Sequence, residues 1–403
     1  MPVIGRRLAG AMAGLVGIGY AVLAVGSGLD RLSQTRPELA SKVPAPFRSQ
    51  ALRQQARALL TAGKAPAALP LSAAAVANAP LEPESTALLG MARYLQGERN
   101  AAESAFRIAG QLGWREPLTQ AYWLERAIAA GDDRVAALRI DALLRQHPQL
   151  LSDRRLLDPI ETRPSGRAAL AERLLARPRW LASYVTGLGK VPRQVLVLRA
   201  GVLGELAARK AILGCAAVGP MVERLVAESA EAEATRLWHQ HCPEAARALI
   251  NDGDLAAASL DQQRSSFAWT FLGQGDTNVL LEPDDAGRSN WLAIETTAPR
   301  PRMIARQMVL APPGRYRLSW SARDADGASG DLIQTMLSCA PRPSRWQSGQ
   351  LDPASQRWSS QFTLDGACSA HWLAFAAGGR EGSVKLGAIR LELQGPDQAA
   401  SPR

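Results

Sequence analysis

Lysine is nearly missing from this chain. Of 47 basic residues in the 403-residue sequence only five are lysine (42, 64, 190, 210 and 385), so arginine carries almost all the positive charge. Histidine and cysteine number four each, and aromatic residues make up 5%. These scarcities exclude whole classes of chemistry. The one grouping of metal-binding types is His239-Gln240-His241-Cys242. It has no common zinc spacing, and a helix there turns the two histidines to different faces, so no metal is expected. No nucleophile elbow, P-loop or dinucleotide fingerprint occurs. Asp284-Asp285 and Asp324-Ala325-Asp326 read as loop carboxylates without the partner that marks a glycosidase pair. No catalytic residue and no cofactor is therefore expected. Zinc-finger, KH and RRM motifs are missing and the basic residues are scattered, so nucleic acid is not an expected partner.

What is present divides near residue 260. The sequence before it is rich in alanine and leucine and reads as helix. Six of the ten tryptophans follow it, among short alternating runs. The net charge of +10 is uneven as well. From Arg264 onward 15 basic residues face 13 acidic ones, and the earlier part carries +8. A solvated surface accounts for that excess, and attraction to anionic lipid or an acidic polymer is the sharper reading.

Leu8 to Leu29 contains no charge, and Arg6-Arg7 precede it. About 20 apolar residues span a bilayer core as a helix. The run is long for a signal peptide, for which Ala24-Val25-Gly26 would be the cleavage site. It is expected to stay as an anchor within residues 1–30, through residues 8–29. Arg31, Arg36, Lys42 and Arg48 follow closely, so the charge rule alone does not orient it. The paired arginines and the even cysteine count place the bulk of the chain outside the cytoplasm. The expected location is the inner membrane of a bacterium, single-pass, with the bulk periplasmic.

Residues 49–250 are expected to form a helical domain. Within it a 34-residue period appears. Gly63, Gly97 and Gly131 keep it, as do Ala68, Ala102 and Ala136, and Phe106 with Ile140. A small residue lets two antiparallel helices approach, a large one fills the gap beside it, and glycine allows the turn. Three copies follow, near 49–82, 83–116 and 117–150. In the middle copy Leu89-Gly90, Tyr94, Gly97, Ala102, Phe106 and Ala109 resemble the tetratricopeptide pattern, with the tyrosine one position late. That resemblance implies a surface for a protein partner. Further helices are expected over 168–175, 180–188, 193–210, 220–228 and 231–241, extending the array.

Residues 264–394 alternate as strands do. Tyr316, Leu318, Trp320 and Ala322 share one face against Arg315, Arg317, Ser319, Ser321 and Arg323. Eight or nine strands in this span predict an antiparallel β-sandwich, and residues 395–403 a disordered tail. The fold class is thus multidomain α + β: an N-terminal transmembrane helix, a helical solenoid and a C-terminal sandwich. Phe267-Ala-Trp269, Trp291-Leu-Ala-Ile294, Pro313-Gly-Arg-Tyr316, Trp358-Ser-Ser-Gln-Phe362 and Val384-Lys-Leu-Gly-Ala-Ile389 together resemble the galactose-binding-like jelly roll of carbohydrate-binding modules. Such modules often carry calcium-binding acids in the closing strand, where this chain has Gly387-Ala388. Trp320, Trp358 and Trp269 fall on apolar faces and read as core. Trp291, Trp346 and Trp372 are the candidates for an exposed platform that a sugar ring could stack on.

Four cysteines allow three pairings, of which Cys215–Cys242 and Cys339–Cys368 is the simplest. Each closes a loop near 30 residues, worth about 3 kcal/mol in the chain-entropy model. Four buried free thiols fit the opposite topology. As a whole the chain resembles bacterial envelope repeat proteins linked to exopolysaccharide production, which also show Cys339 followed by Cys368-Ser-Ala-His-Trp372-Leu. That likeness implies a context of polysaccharide synthesis or export rather than an activity, and a non-enzymatic scaffold there is the expected role. A glycan-binding protein is the first alternative and a divergent polysaccharide hydrolase the second.

Overall fold

The structure is a computed structural model and describes every residue except 1–2, 188, 190, 262–264, 274, 324–328, 340–344, 369 and 396–403. Asp324, Asp326 and nearly all of the expected tail lie outside the described residues. The chain is multidomain α + β, as its sequence predicts. It divides into two compact units, Met1–Ile160 and Glu161–Arg403.

The first unit opens with α1 (Val3–Leu32). Residues Gly14 to Val25 are exposed, and Gly14–Leu32 is long and apolar enough to cross a membrane. From Gly26 onward the helix is packed. A Cβ at Gly26 would strike the Phe47 ring, so only glycine fits there. Asp30 is buried, and its carboxylate accepts the backbone N–H groups of Gln50 (2.9 Å) and Ala51 (2.8 Å). Those are orphan donors of the next helix, so the end of α1 caps the start of the repeats.

Three helical hairpins follow in the predicted register. They are α2 (Ser49–Thr61) with α3 (Ala65–Asn78), α4 (Pro83–Leu95) with α5 (Arg99–Leu112), and α6 (Pro117–Ala130) with α7 (Asp133–Gln146). Gly63, Gly97 and Gly131 occupy the turns with φ of 71°, 83° and 73°, the left-handed region that a side chain would strain. Ala68, Ala102 and Ala136 are fully buried at the helix contacts, with Phe106 and Ile140 beside them. Pro70 lies inside α3 without ending it. The unit closes with α8 (Arg154–Glu161), which the sequence reading missed.

The second unit begins with α9 (Pro164–Leu174), α10 (Trp180–Thr186), α11 (Arg193–Ala208), α12 (Cys215–Ala227), α13 (Glu231–His241) and α14 (Pro243–Ala248). These helices, read from sequence as an extension of the array, fall in one compact unit with the sandwich. Helix α12 starts five residues before Pro220, at Cys215, where Gly214 (φ 88°) turns the chain. The strands are β1 (Thr270–Phe271), β2 (Thr277–Pro283), β3 (Asn290–Thr296), β4 (Arg302–Leu310), β5 (Gly314–Arg323), β6 (Ile333–Cys339), β7 (Gln347–Ser348), β8 (Gln350–Asp352), β9 (Arg357–Leu364), β10 (Ala370–Ala377) and β11 (Gly382–Leu393). They form two antiparallel sheets, ordered β1-β4-β10-β6-β7 and β2-β3-β11-β5-β9-β8. The inner faces meet through Leu292, Leu318, Trp320, Leu373, Phe375 and Leu386, each completely buried.

The stretch between the helices and the first strand is part of this core. Ile250 and Leu255 are 3% and 1% exposed, and Leu249, Asp252 and Leu255 take positive φ. A buried irregular segment must satisfy its own backbone. The Asn251 N–H is accepted by Gln307 Oε1 (3.0 Å), and Gln307 Nε2 donates to the Asn251 carbonyl (2.8 Å). Trp269 Nε1 donates to the Asp252 carbonyl at 2.9 Å, and the Ile389 N–H to that of Gly253 at 2.8 Å. Asn290 donates through its backbone to Asp254 and through Nδ2 to Leu255.

Candidate functional site

In the first unit the leading helices of successive hairpins lie side by side, α2 next to α4 and α4 next to α6. Between α4, α5 and α6 the buried residues Ala87, Phe106, Ala109 and Tyr122 form a cluster. Phe106 stacks on Tyr122 at 4.1 Å. Met91, Tyr94, Leu118 and Trp123 pack against this cluster while remaining partly open to solvent. Tyr94 donates its hydroxyl to Glu125 Oε1 at 2.6 Å, and that carboxylate holds the phenol pKa above its ordinary value. The result is an aromatic, thioether and aliphatic surface with one fixed carboxylate, suited to side chains of another polypeptide. Arg53, 3% exposed, lies 3.5 Å from Glu84 and donates to Ser85 Oγ at 3.3 Å, tying α2 to α4. The buried Glu116 accepts from the N–H groups of Leu118 and Thr119 at the start of α6; burial raises its pKa.

In the sandwich, Trp269 and Trp320 are core, at 4% and 0% exposure, and Trp358 packs against it. Trp291 and Trp372 are half-buried on the outer faces, opposite in alternation to buried Leu292 and Leu373. They lie on different sheets, β3 and β10, so they do not share one site. Trp346 is half-buried in the loop just before β7. Neither outer-face ring is bare. The Arg323 guanidinium lies over Trp291 at 4.6 Å, and that of Arg306 over Trp372 at 4.8 Å. Gly387 faces the Trp291 ring; a Cβ there would come within 3.0 Å of it. The neighbouring Ala388 carbonyl accepts from Arg357 at 2.6 Å. Around Trp291 the polar face is ionic: Lys385 pairs with Glu282 at 2.7 Å and Arg390 with Asp254 at 2.8 Å.

The cysteines pair as the sequence predicts, Cys215–Cys242 with Cα atoms 5.1 Å apart and Cys339–Cys368 with 5.9 Å. Beside the second bridge stands a residue that sequence reasoning passed over as a ligand. His371 is 2% exposed, faces Cys339 in the β6–β10 register, and has Nε2 3.3 Å from Cys368 Sγ. The signal for it was the short Cys368-x-x-His371 spacing.

Of the carboxylates noted in sequence, Asp284 serves its own turn. Asp284 accepts from Ser289 Oγ and the Arg288 N–H, and these bonds lower its pKa. His239 and His241 part as expected, the first exposed and the second fully buried. His241 Nδ1 accepts the Leu213 N–H (3.2 Å), so Nε2 carries the proton and donates to the Leu203 carbonyl (3.1 Å). Burial lowers its pKa, as it does that of His371. A histidine kept neutral in the fold takes up a proton more readily once unfolded. Its contribution to stability is complete above the unfolded pKa of about 6.5 and is lost as pH falls below it. The thermal midpoint of the second unit is therefore expected to drop between about pH 7 and pH 5. A His241→Gln variant should show a shallower drop, and an equal slope in both proteins contradicts this role.

No known family model matches the chain, and no curated relative does. Among solved structures it is similar to the enzymatically active domain of tailspike protein 4 of bacteriophage CBA120, at 10% identity and TM-score 0.25, over 36% of this chain and 21% of that one. A sugar-binding protein from Bacteroides thetaiotaomicron is matched at 11% identity and TM-score 0.26, over 36% of this chain and all of that one. A GH115 4-O-methyl-α-glucuronidase specific for decorated arabinogalactans is matched at 11% identity and TM-score 0.19, over 77% and 48%. Likenesses this weak carry no conclusion about what the chain does.

Proposed function

We propose that this chain is a membrane-anchored, non-enzymatic interaction protein of the bacterial envelope, whose hairpin repeats hold a protein partner. The observation that carries this reading is the surface of Met91, Tyr94, Leu118 and Trp123 on α4 and α6, supported from behind by the Phe106–Tyr122 stack. Three hairpins in strict 34-residue register, with glycine at each turn, support a tetratricopeptide-like array. The anchor follows from where α1 stops being exposed. The charge-free run 8–25 gives about 27 Å of helix at 1.5 Å per residue, close to a bilayer core of about 30 Å, and residues 14–25 of it are exposed. Cleavage after Gly26 would cut α1 where it packs against Phe47, which supports retention of the segment. The two disulfides support placing the bulk of the chain in the periplasm. A role in exopolysaccharide synthesis or export rests on the architecture alone and belongs to the same proposal. A Leu118→Arg, Trp123→Asp variant is expected to lose the partner in co-purification from membranes while circular dichroism shows its helices retained. Retention of the partner by that variant counts against the reading.

A second reading is favoured by the arginine over Trp291. A guanidinium held over the Trp291 ring presents a carboxylate donor on the outer face of the sheet, which fits a uronate-bearing glycan. Binding of such a glycan that is weakened at least about tenfold, about 1.4 kcal/mol, in Trp291→Ala and in Arg323→Ala supports it. Equal binding by both variants removes it.

A further inference from the structure

We propose that Cys339, Cys368 and His371 form a Zn²⁺ site when the bridge between the two cysteines is reduced. The sulfur and imidazole ligand atoms of these three residues all lie within 4.8 Å of one another. The backbone brings them together independently of the bridge. Cys339 ends β6 and faces His371 across the β6–β10 ladder, and Cys368 lies three residues before His371. Cys368 Sγ and His371 Nε2 are 3.3 Å apart. In a tetrahedral site with Zn–S of about 2.3 Å and Zn–N of about 2.0 Å, a sulfur and a nitrogen ligand stand roughly 3.5 Å apart, so this pair already has about the spacing of two ligands, and the sulfurs part once their bond is reduced. Two thiolates and one imidazole are three ligands of a soft, zinc-selecting set, and water completes the fourth position.

The histidine is hard to account for otherwise. It is 2% exposed, and among the described residues its Nδ1 has no hydrogen-bond partner. A buried imidazole left unsatisfied costs stability that an apolar residue would not. Both cysteines are only partly buried, so a reductant can reach them. The step balances with a dithiol as reductant: the protein bridge takes two electrons and two protons, and the dithiol becomes a disulfide. Zn²⁺ then displaces the two thiol protons.

The test uses the full chain in detergent, anaerobically, before and after a phosphine reductant, titrated with Co²⁺ and with Zn²⁺ against a chromophoric chelator. Reduction is expected to create a site for one ion with thiolate-to-cobalt charge transfer and tetrahedral visible bands, absent from the oxidised chain. His371→Ala retains all four cysteines and is expected to bind at least about 100-fold more weakly. His371→Gln provides a second variant, and the oxidised melting curve of each shows that it folds. Tetrahedral cobalt bound equally by wild type and both variants would place the metal elsewhere and overturn the proposal. So would a reduced chain that binds no ion.

Discussion

Phe106→Ala is expected to destabilise the repeat unit by about 3–5 kcal/mol, close to the whole stability of many small domains. Its side chain is completely buried, and its ring stacks on Tyr122 at 4.1 Å. The opposite helix supplies Gly90, where even a Cβ would come within 3.1 Å of the ring. The fit is set by a missing side chain, so the surroundings cannot close over the cavity cheaply. Position matters too. Phe106 lies in the middle hairpin, which has a neighbour on each side, so its loss weakens two interfaces of a stacked array. Ile140→Ala, in the terminal hairpin, should cost less, about 2–4 kcal/mol. Urea unfolding followed by tryptophan fluorescence and circular dichroism should show two transitions, with only that of the first unit moved. A loss under about 1 kcal/mol would mean that Phe106 is not the core of a repeat interface.

Gln307→Leu is expected to cost the second unit about 2–6 kcal/mol, although leucine is similar in volume and more apolar. Gln307 is completely buried and gives both hydrogen bonds to the backbone of Asn251. Leucine leaves an N–H and a carbonyl without partners, at about 1–3 kcal/mol each. Arg390→Ala makes the comparison informative. Arg390 also holds the 249–255 segment, through two bonds to Asp254 at 2.8 and 2.9 Å, but both side chains are 44–50% exposed. Water replaces that pair, so its loss should cost at most about 1 kcal/mol. Denaturant midpoints of the two variants give the ranking directly. The reverse order would show that the segment is held by charge at its surface.

The hairpins were legible because their determinants are local. A small residue, a large one and a turn glycine recur at fixed spacing, and each has the same job in every copy. The central strands were legible for the same reason, as in Tyr316, Leu318 and Trp320 against Arg315, Arg317 and Ser319. The cysteine pairing was readable from their division between helices and strands. What escaped depends on partners distant in sequence. Leu249, Asp252 and Leu255 take positive φ only because Gln307, Trp269 and Asn290 hold the chain there. No glycine marks those three positions. Strand β2 is hard to read from sequence because Leu280-Leu281 breaks its alternation at a sheet edge. Arg323 reaches Trp291 only because β11 pairs between β5 and β3, an order the sequence does not show. The facing of His371 and Cys339 likewise needs the β6–β10 register. The tryptophans that alternation placed on the outer faces are there, each with an arginine over its ring.

Partner binding on the α4–α6 surface is tested most directly by placing a photo-crosslinking residue at single positions of the full chain in living cells. Positions 91, 94 and 123 lie on that surface, and position 138 offers an exposed leucine on α7 for comparison. Discrete adducts of one size from 91, 94 and 123, none from 138, and their loss on adding Leu118→Arg are the predicted result. Adducts of equal yield from position 138, or none from any position in the native envelope, would contradict the assignment of this surface to a protein partner.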